Sequence, residues 1–461
     1  ADLGDLANLE ILYMNDNKFT GNIPSSYTKM TNLEVMHIQD NELHGQIPNG
    51  IKDLSSLRDI NLSGNKFDGT IPHLLGDAAK LEIIELQYNE IEGFVPSDIS
   101  SLPKLKTLHL EGNRLLGTVP DGICQNVDNG LLLSFTSDCA PTDLPGKHIV
   151  CPCCTKCFEP LSYGNIDDGD NGGGQDSNKV DETPATTAPQ EATPPPTTGV
   201  TVPPLSSEED RFNTLLEEVV SSEFTSDRTV LTTEGTPQNK ALRWLSDYDP
   251  YQVPADHSDT LERYALAVFF FATNGEYLQP NTDMSDAETD GSRTARNNIL
   301  WTSAKNWLTS NGFCRWEGVM CKMVSEIKGS EYNTIEEGEE YGIYGLSLPS
   351  NNIGGVIPDD VGALQTLVDL DLRDNLLEGQ LPNIIDKLEL LVSMDLSTNK
   401  FVGTIPHLLG EATKLEVIAL QHNEFEGFVP SDLAGLPGLR TLRLEGNRLL
   451  GTVPDEICQN V

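Results

Sequence analysis

Basic residues are scarce in this chain. Lys and Arg together number 30 against 71 Asp and Glu, giving a formal charge of −41. Nucleic-acid binding needs clustered Lys and Arg to neutralise phosphate, so no nucleic-acid partner is expected. Adhesion to anionic lipid is excluded on the same ground. Long apolar runs are also missing. The most apolar stretch, Tyr264 to Ala272, is nine residues, well short of the roughly 20 that span a bilayer, so no membrane insertion is expected. No P-loop, G-x-S-x-G, zinc-protease helix or kinase signature occurs. The many carboxylates do not by themselves make the pKa-shifting cleft that catalysis requires. The reading is therefore no enzyme, no catalytic residue, no metal and no cofactor. No secretory leader is visible at Ala1.

What is present is a period. Asn17, Asn41, Asn65, Asn89 and Asn113 recur every 24 residues, and so do Asn351, Asn375, Asn399, Asn423 and Asn447. Such a period marks a stacked repeat. In one unit Leu12 and Met14 alternate with Tyr13 and Asn15, the pattern of a short strand with one buried face. Asn17 follows, placed to pair inward with the backbone of the neighbouring unit, because a buried amide must be satisfied. Ten such side chains predict an Asn ladder. Gly21 admits a backbone conformation strained for other residues, and Pro24 fixes the chain as it turns into an outer return segment. Units such as "LYMNDNKFTGNIP", "INLSGNKFDGTIP" and "LDLRDNLLEGQLP" resemble the plant-type leucine-rich repeat. The resemblance implies an α/β fold: a right-handed solenoid, or horseshoe, with a parallel sheet lining its concave side.

The repeats fall into two five-repeat arrays. Positions 65–127 and 399–461 align without gaps at an offset of 334, so the chain contains a tandem duplication. Five parts are expected: array one over 1–123, a cysteine-rich C-terminal cap over 124–160, a Pro/Thr/acidic linker over 161–207, a helical N-terminal cap region over 208–342, and array two over 343–461. The linker holds seven Pro, seven Thr and seven acidic residues with one aromatic, a composition unable to bury enough apolar surface to order itself. Solenoid ends need caps. On this reading array one lacks its N-terminal cap and array two its C-terminal cap, the arrays are two short stacks, and the native protein extends beyond both ends.

Nine cysteines fit this plan. Cys314 and Cys321 precede array two. Cys124, Cys139, Cys151, Cys153, Cys154 and Cys157 close array one. Cys458 is the copy of Cys124, without a visible partner. Disulfide-bonded caps and an oxidising compartment follow. The alternative for "CPCCTKC" is a thiolate site for zinc or cuprous copper. "RYALAVFFFATNG" and "ILWTSAKNWLTSNGFCRWEGVMC" are similar to the N-terminal cap of plant-type repeats, through Trp307, Leu308, Cys314, Trp316, Gly318, Val319 and Cys321. The order of caps, stalk and repeats looks like that of secreted or cell-surface leucine-rich repeat proteins of diatoms and other stramenopiles. An acidic insert before Tyr344 departs from the family's pattern and bears on how the cap docks.

A ligand would meet the outward residues of the concave strands. In array one these are Tyr13, His37, Asn61, Glu85 and His109, with Tyr88 alongside. In array two they include Asp371, Arg373, Asp395, Gln421 and Arg443. These columns are polar and acidic. Asn61 lies in the only N-x-[ST] sequon, and a glycan there would obstruct array one and leave array two open. The expected function is an extracellular or cell-surface recognition or adhesion module for a protein, peptide or glycan. The alternatives are the ectodomain of a receptor-like protein and an inhibitor of an extracellular enzyme. Regular Thr columns, which an ice or mineral binder would want, are absent from the concave positions.

Overall fold

Each rung begins with a three-residue strand because two apolar side chains alternate with polar ones and only one side is covered. The computed structural model of the protein describes residues 3–139, 149–158, 208–222, 227–249, 251–257, 259–273, 301–309, 312–328 and 341–452. The 161–207 linker and Cys458 lie outside the described residues.

The inner strands are β1 (Ile11–Tyr13), β2 (Val35–His37), β3 (Asp59–Asn61), β4 (Ile83–Glu85), β5 (Thr107–His109), β6 (Ser134–Asp138), β7 (Lys156–Phe158), β8 (Val319–Met323), β9 (Tyr341–Ser347), β10 (Asp369–Asp371), β11 (Ser393–Asp395), β12 (Val417–Ala419) and β13 (Thr441–Arg443). They form one 13-stranded sheet in the order β7-β6-β5-β4-β3-β2-β1-β13-β12-β11-β10-β9-β8. All pairs are parallel except β8 with β9. After each strand the chain turns through a left-handed residue, Asp16 at φ 54° and Asp374 at φ 56° among them. That turn sets the ladder Asn. Asn41 Nδ2 donates to Met14 O on the neighbouring rung at 3.0 Å and to Ile38 O at 3.1 Å, and its Oδ1 accepts from Phe19 N at 3.0 Å. Gly21 has φ 84°, a region costly for any side chain. Short 3-10 turns such as Ser25–Lys29 form the outer return.

The arrays are not separate stacks. β13 at the end of array two pairs with β1 at the start of array one, Leu442 opposite Leu12 and Arg443 opposite Tyr13. The joint carries the same bonds as an internal rung. Leu444 N donates to Tyr13 O at 2.8 Å, Asn17 Nδ2 donates to Leu444 O at 3.0 Å, and Asn17 Oδ1 accepts from Leu449 N at 3.0 Å. A second sheet on the flank also crosses it, with Lys18 opposite Leu450. The expectation of two uncapped ends is thereby corrected. The open face of β1 and the open face of β13 are complementary because every rung has the same edge, so each covers the other.

The two caps therefore close one ten-rung solenoid. At one end, helix α1 (Asp121–Asp128) leads into β6 and β7, held by Cys124–Cys153, Cys139–Cys157 and Cys151–Cys154. A metal would have to use sulfurs that here bond one another. Asp138 takes the ladder's place there, accepting from Asn113 N at 3.2 Å. At the other end lie α2 (Glu208–Ser221), α3 (Arg228–Thr232), α4 (Pro237–Arg243) and α5 (Asp259–Ala272). Phe212, Leu215, Leu216 and Val219 of α2 are buried, as their helical spacing predicts. The apolar α5 packs on the first rung of array two, where Tyr264 Oη donates to Asp360 at 3.1 Å. Arg263 and Asp249 form a buried pair at 2.6 Å beneath Trp244 and Trp316. Cys314–Cys321 ties this cap. The acidic insert is carried between β8 and β9, whose antiparallel pairing docks the cap on the array. Residues 329–340 of it lie outside the described ones.

Candidate functional site on the concave face

The joint changes what the concave face is. Its central column runs Ser347, Asp371, Asp395, Ala419, Arg443, Tyr13, His37, Asn61, Glu85, His109 and Thr136, one residue per neighbouring strand. At about 4.8 Å per strand, neighbouring side chains lie close enough to interact.

Two groups result. In array two, Arg373 lies 3.7 Å from Asp371 and 3.6 Å from Asp395. Burial raises the Asp371 carboxyl above its ordinary value, with Arg373 pulling against it. Ala419 then interrupts the polar file. The second group crosses the joint. Arg443 sits over the Tyr13 ring at 5.1 Å, and Tyr13 meets the edge of His37 at 4.8 Å. Burial raises the Tyr13 hydroxyl. His37 Nε2 lies 3.1 Å from Asp59, close enough for charge attraction but misaligned for a hydrogen bond. Asn61 Nδ2 donates to Glu85. Glu85 lies 3.2 Å from His109 Nδ1, and His109 Nε2 meets Ser134 Oγ at 2.8 Å. The Glu85 hydrogen bond raises the His109 pKa above the ordinary imidazole value. Thr136 Oγ1 donates to Glu111.

The sequence-derived residues are thus mostly brought together, and Tyr13 joins Arg443 although 430 positions separate them in the chain. Gln421 falls in the adjoining column. Tyr88 stands at its edge, about half exposed and in a left-handed conformation. Asn61 is only 8% exposed. Its Oδ1 also accepts from Ser63 N at 3.0 Å. Sequence reasoning missed Asp59 and the cap residues Ser134 and Thr136 as site members. Asp59 shares the face of Asn61 by strand alternation, a signal that was available. Burial raises the Glu445 carboxyl, with Arg443 and His37 opposing.

Fold and face together define a repeat solenoid whose chemistry is spread along one sheet surface. Two family models match: "Leucine rich repeat" over residues 6–67, and "Leucine Rich Repeat" over 104–126 and 438–460. The chain carries leucine-rich repeats. No curated protein sequence is similar enough to count as a relative. Among solved structures, the BIR3–SERK2 complex from Arabidopsis thaliana shares 34% identity over 34% of this chain and 77% of that one, with a TM-score of 0.28. The plant peptide hormone receptor RGFR1 in complex with RGF2 shares 17% identity over 98% of this chain and 46% of that one, TM-score 0.27. The ectodomain of the Arabidopsis thaliana receptor kinase GASSHO1/SCHENGEN3 in complex with CASPARIAN STRIP INTEGRITY FACTOR 2 shares 19% over 97% and 42%, TM-score 0.28. The chain covers less than half the length of these last two structures' chains.

Proposed function

We propose that this chain is an extracellular or cell-surface recognition module that holds a peptide or protein segment along its concave face. The observation that carries this reading is the series of polar side-chain contacts that crosses the joint and reaches the cap: Arg443 over Tyr13, Tyr13 against His37, His37 beside Asp59, Asn61 to Glu85, Glu85 to His109 and His109 to Ser134. A rigid sheet that presents one side chain per rung suits a chain-like ligand. A compact small molecule would need a closed pocket. Among the described residues of the ten rungs, aromatic side chains on the face are limited to Tyr13 and Tyr88, which disfavours a sugar-stacking surface. The disulfides in both caps suit an oxidising compartment. No helix among the described residues is long and apolar enough to cross a membrane.

The test is peptide display. A library is panned against the full chain and against a variant with Arg443, Tyr13, Glu85 and His109 replaced by Ala. The reading expects sequences enriched by the native chain and lost by the variant. Identical enrichment by both removes the concave face as the binding surface.

A further inference from the structure

Within the inner sheet every pair of neighbours is consecutive in the chain except β13 and β1, whose paired residues stand 430 positions apart. The covalent route between them runs through both caps and the linker. No disulfide among the described residues crosses the joint, so non-covalent contacts hold it. It has the make-up of a docked interface. Glu10 N and Ile11 N donate to Arg440 O at 2.8 and 2.9 Å, and Gly446 N donates to Asn15 O at 3.1 Å. Asn8 Nδ2 donates to Pro437 O at 2.8 Å, and Arg440 meets Glu10 at 2.6 Å. The outer turn Leu3–Asp5 packs on the turn Ser431–Gly435. Leu6, Leu9, Leu12, Leu436, Leu439 and Leu442 are buried beneath.

The two edges are different surfaces. β13 meets β1 in parallel, so neither edge fits a copy of itself, and the interface is heterologous. Both caps sit at the far ends, so the joint is where each array ends in a bare edge. When it opens, the chain presents one β1 edge and one β13 edge, and unpaired strand edges recruit other chains. The matching edge of a second chain is chemically identical to its own. The 49 residues from 159 to 207 reach about 160 Å when extended. The twelve spacings of the 13-stranded sheet come to about 58 Å. The tether therefore favours the chain's own edge without imposing it, acting as an effective concentration of about a millimolar or below.

We propose that the joint is an exchangeable interface whose other occupant is a second copy of this chain. β13 of one copy docks on β1 of the next, in the register that the chain uses with itself. Two copies that exchange reciprocally form a closed dimer of two ten-rung solenoids. Successive exchange gives open head-to-tail assemblies. In dilute solution the chain's own edge wins, and the monomer prevails.

The test uses two full-length chains in a Cys458→Ser background, each with one added cysteine. One carries Ile11→Cys and the other Thr441→Cys, so a bond between positions 11 and 441 must join two chains. They are mixed at about millimolar concentration in urea below the unfolding midpoint, at acidic pH where thiols stay protonated. The mixture is then returned to neutral buffer and mildly oxidised. Peptide mapping is expected to find dimers bonded through 11 and 441. Their yield should fall about tenfold or more when the mixture is made a hundredfold more dilute. Thr107→Cys is the control. It is the copy of position 441 but lies opposite Ser134 of the cap strand β6, where opening the joint exposes nothing, and it should form little bond to position 11. The chain with both Ile11→Cys and Thr441→Cys, oxidised alongside, shows that the pair reacts. Absence of the interchain 11–441 bond at high concentration would overturn the proposal. So would equal bonding through position 107, or 11–11 bonds as abundant as 11–441, since either means random collision.

Discussion

Glu111 and Glu445 are the same residue in two copies of one repeat, 334 positions apart, yet their surroundings differ. Glu111 faces the cap strand β6 and accepts from Thr136. Glu445 faces β1, where Tyr13 stands in place of Thr136, and one of its oxygens has no hydrogen-bond partner among the described residues. The residue pair before them behaves alike. His109 is bonded to Glu85 and Ser134, whereas its copy Arg443 lies over Tyr13, and Ala419 replaces Glu85. The two copies differ at 14 of 63 aligned positions spread along the module, and at Glu111 and Glu445 an unchanged residue differs only through the rung beside it, the cap in one copy and the joint in the other. The scaffold residues beneath are unchanged: Leu108 and its copy Leu442 are both fully buried.

That equivalence can be broken most strongly in the core. Leu442→Ala and Leu108→Ala should each cost about 2–5 kcal/mol by leaving a cavity, read by denaturant unfolding. A much smaller loss for Leu442→Ala would mean that the joint is not packed like an internal rung. Next, Asn17→Ala takes the acceptor from Leu449 N across the joint and leaves Leu444 O with Asn447 Nδ2 alone, at about 1–3 kcal/mol for the lost partner. Asn41→Ala, inside array one, should cost a similar amount.

Titration separates the copies further. His109 has a raised pKa, so the folded state holds its proton more tightly. The resulting stability is complete below about pH 6.5 and is lost as pH rises through the higher folded value. His109→Gln should flatten stability in that window, and Arg443→Gln should leave its slope intact. Glu445 is raised by burial, so its contribution is complete below about pH 4.3 and is lost as pH rises through the folded value. Glu445→Gln should therefore be more stable than the native chain at neutral pH, with the gap closing in acid. The smallest effect is expected at the surface. Arg440, the copy of Lys106, pairs with Glu10 across the joint at 2.6 Å. Arg440→Ala should cost no more than about 1 kcal/mol, as exposed pairs do.

The rungs were legible in the sequence because each feature repeats with one period: the apolar alternation, the ladder Asn, the Gly and the Pro. The joint was not, for the same reason. Every rung offers the next one an identical edge, so the period says that rungs stack and not which end meets which. The central column was legible through strand alternation around Tyr13, His37 and Asp371. Thr136 was not, since β6 belongs to a cap outside the repeat. Glu445 gained its role only from the strand beside it. The disulfide pairing within the six-cysteine cap was hidden because close spacing permits many connectivities.

The continuous concave face depends on β13 lying beside β1, and one cross-link tests that directly. Ile11 and Thr441 are opposite residues in this pair. In the double variant Ile11→Cys/Thr441→Cys, mild oxidation followed by isolation of monomer and peptide mapping should find a disulfide between positions 11 and 441 in the monomer. Monomer with both thiols free, or a bond found only in dimers, would contradict a single ten-rung solenoid within one chain.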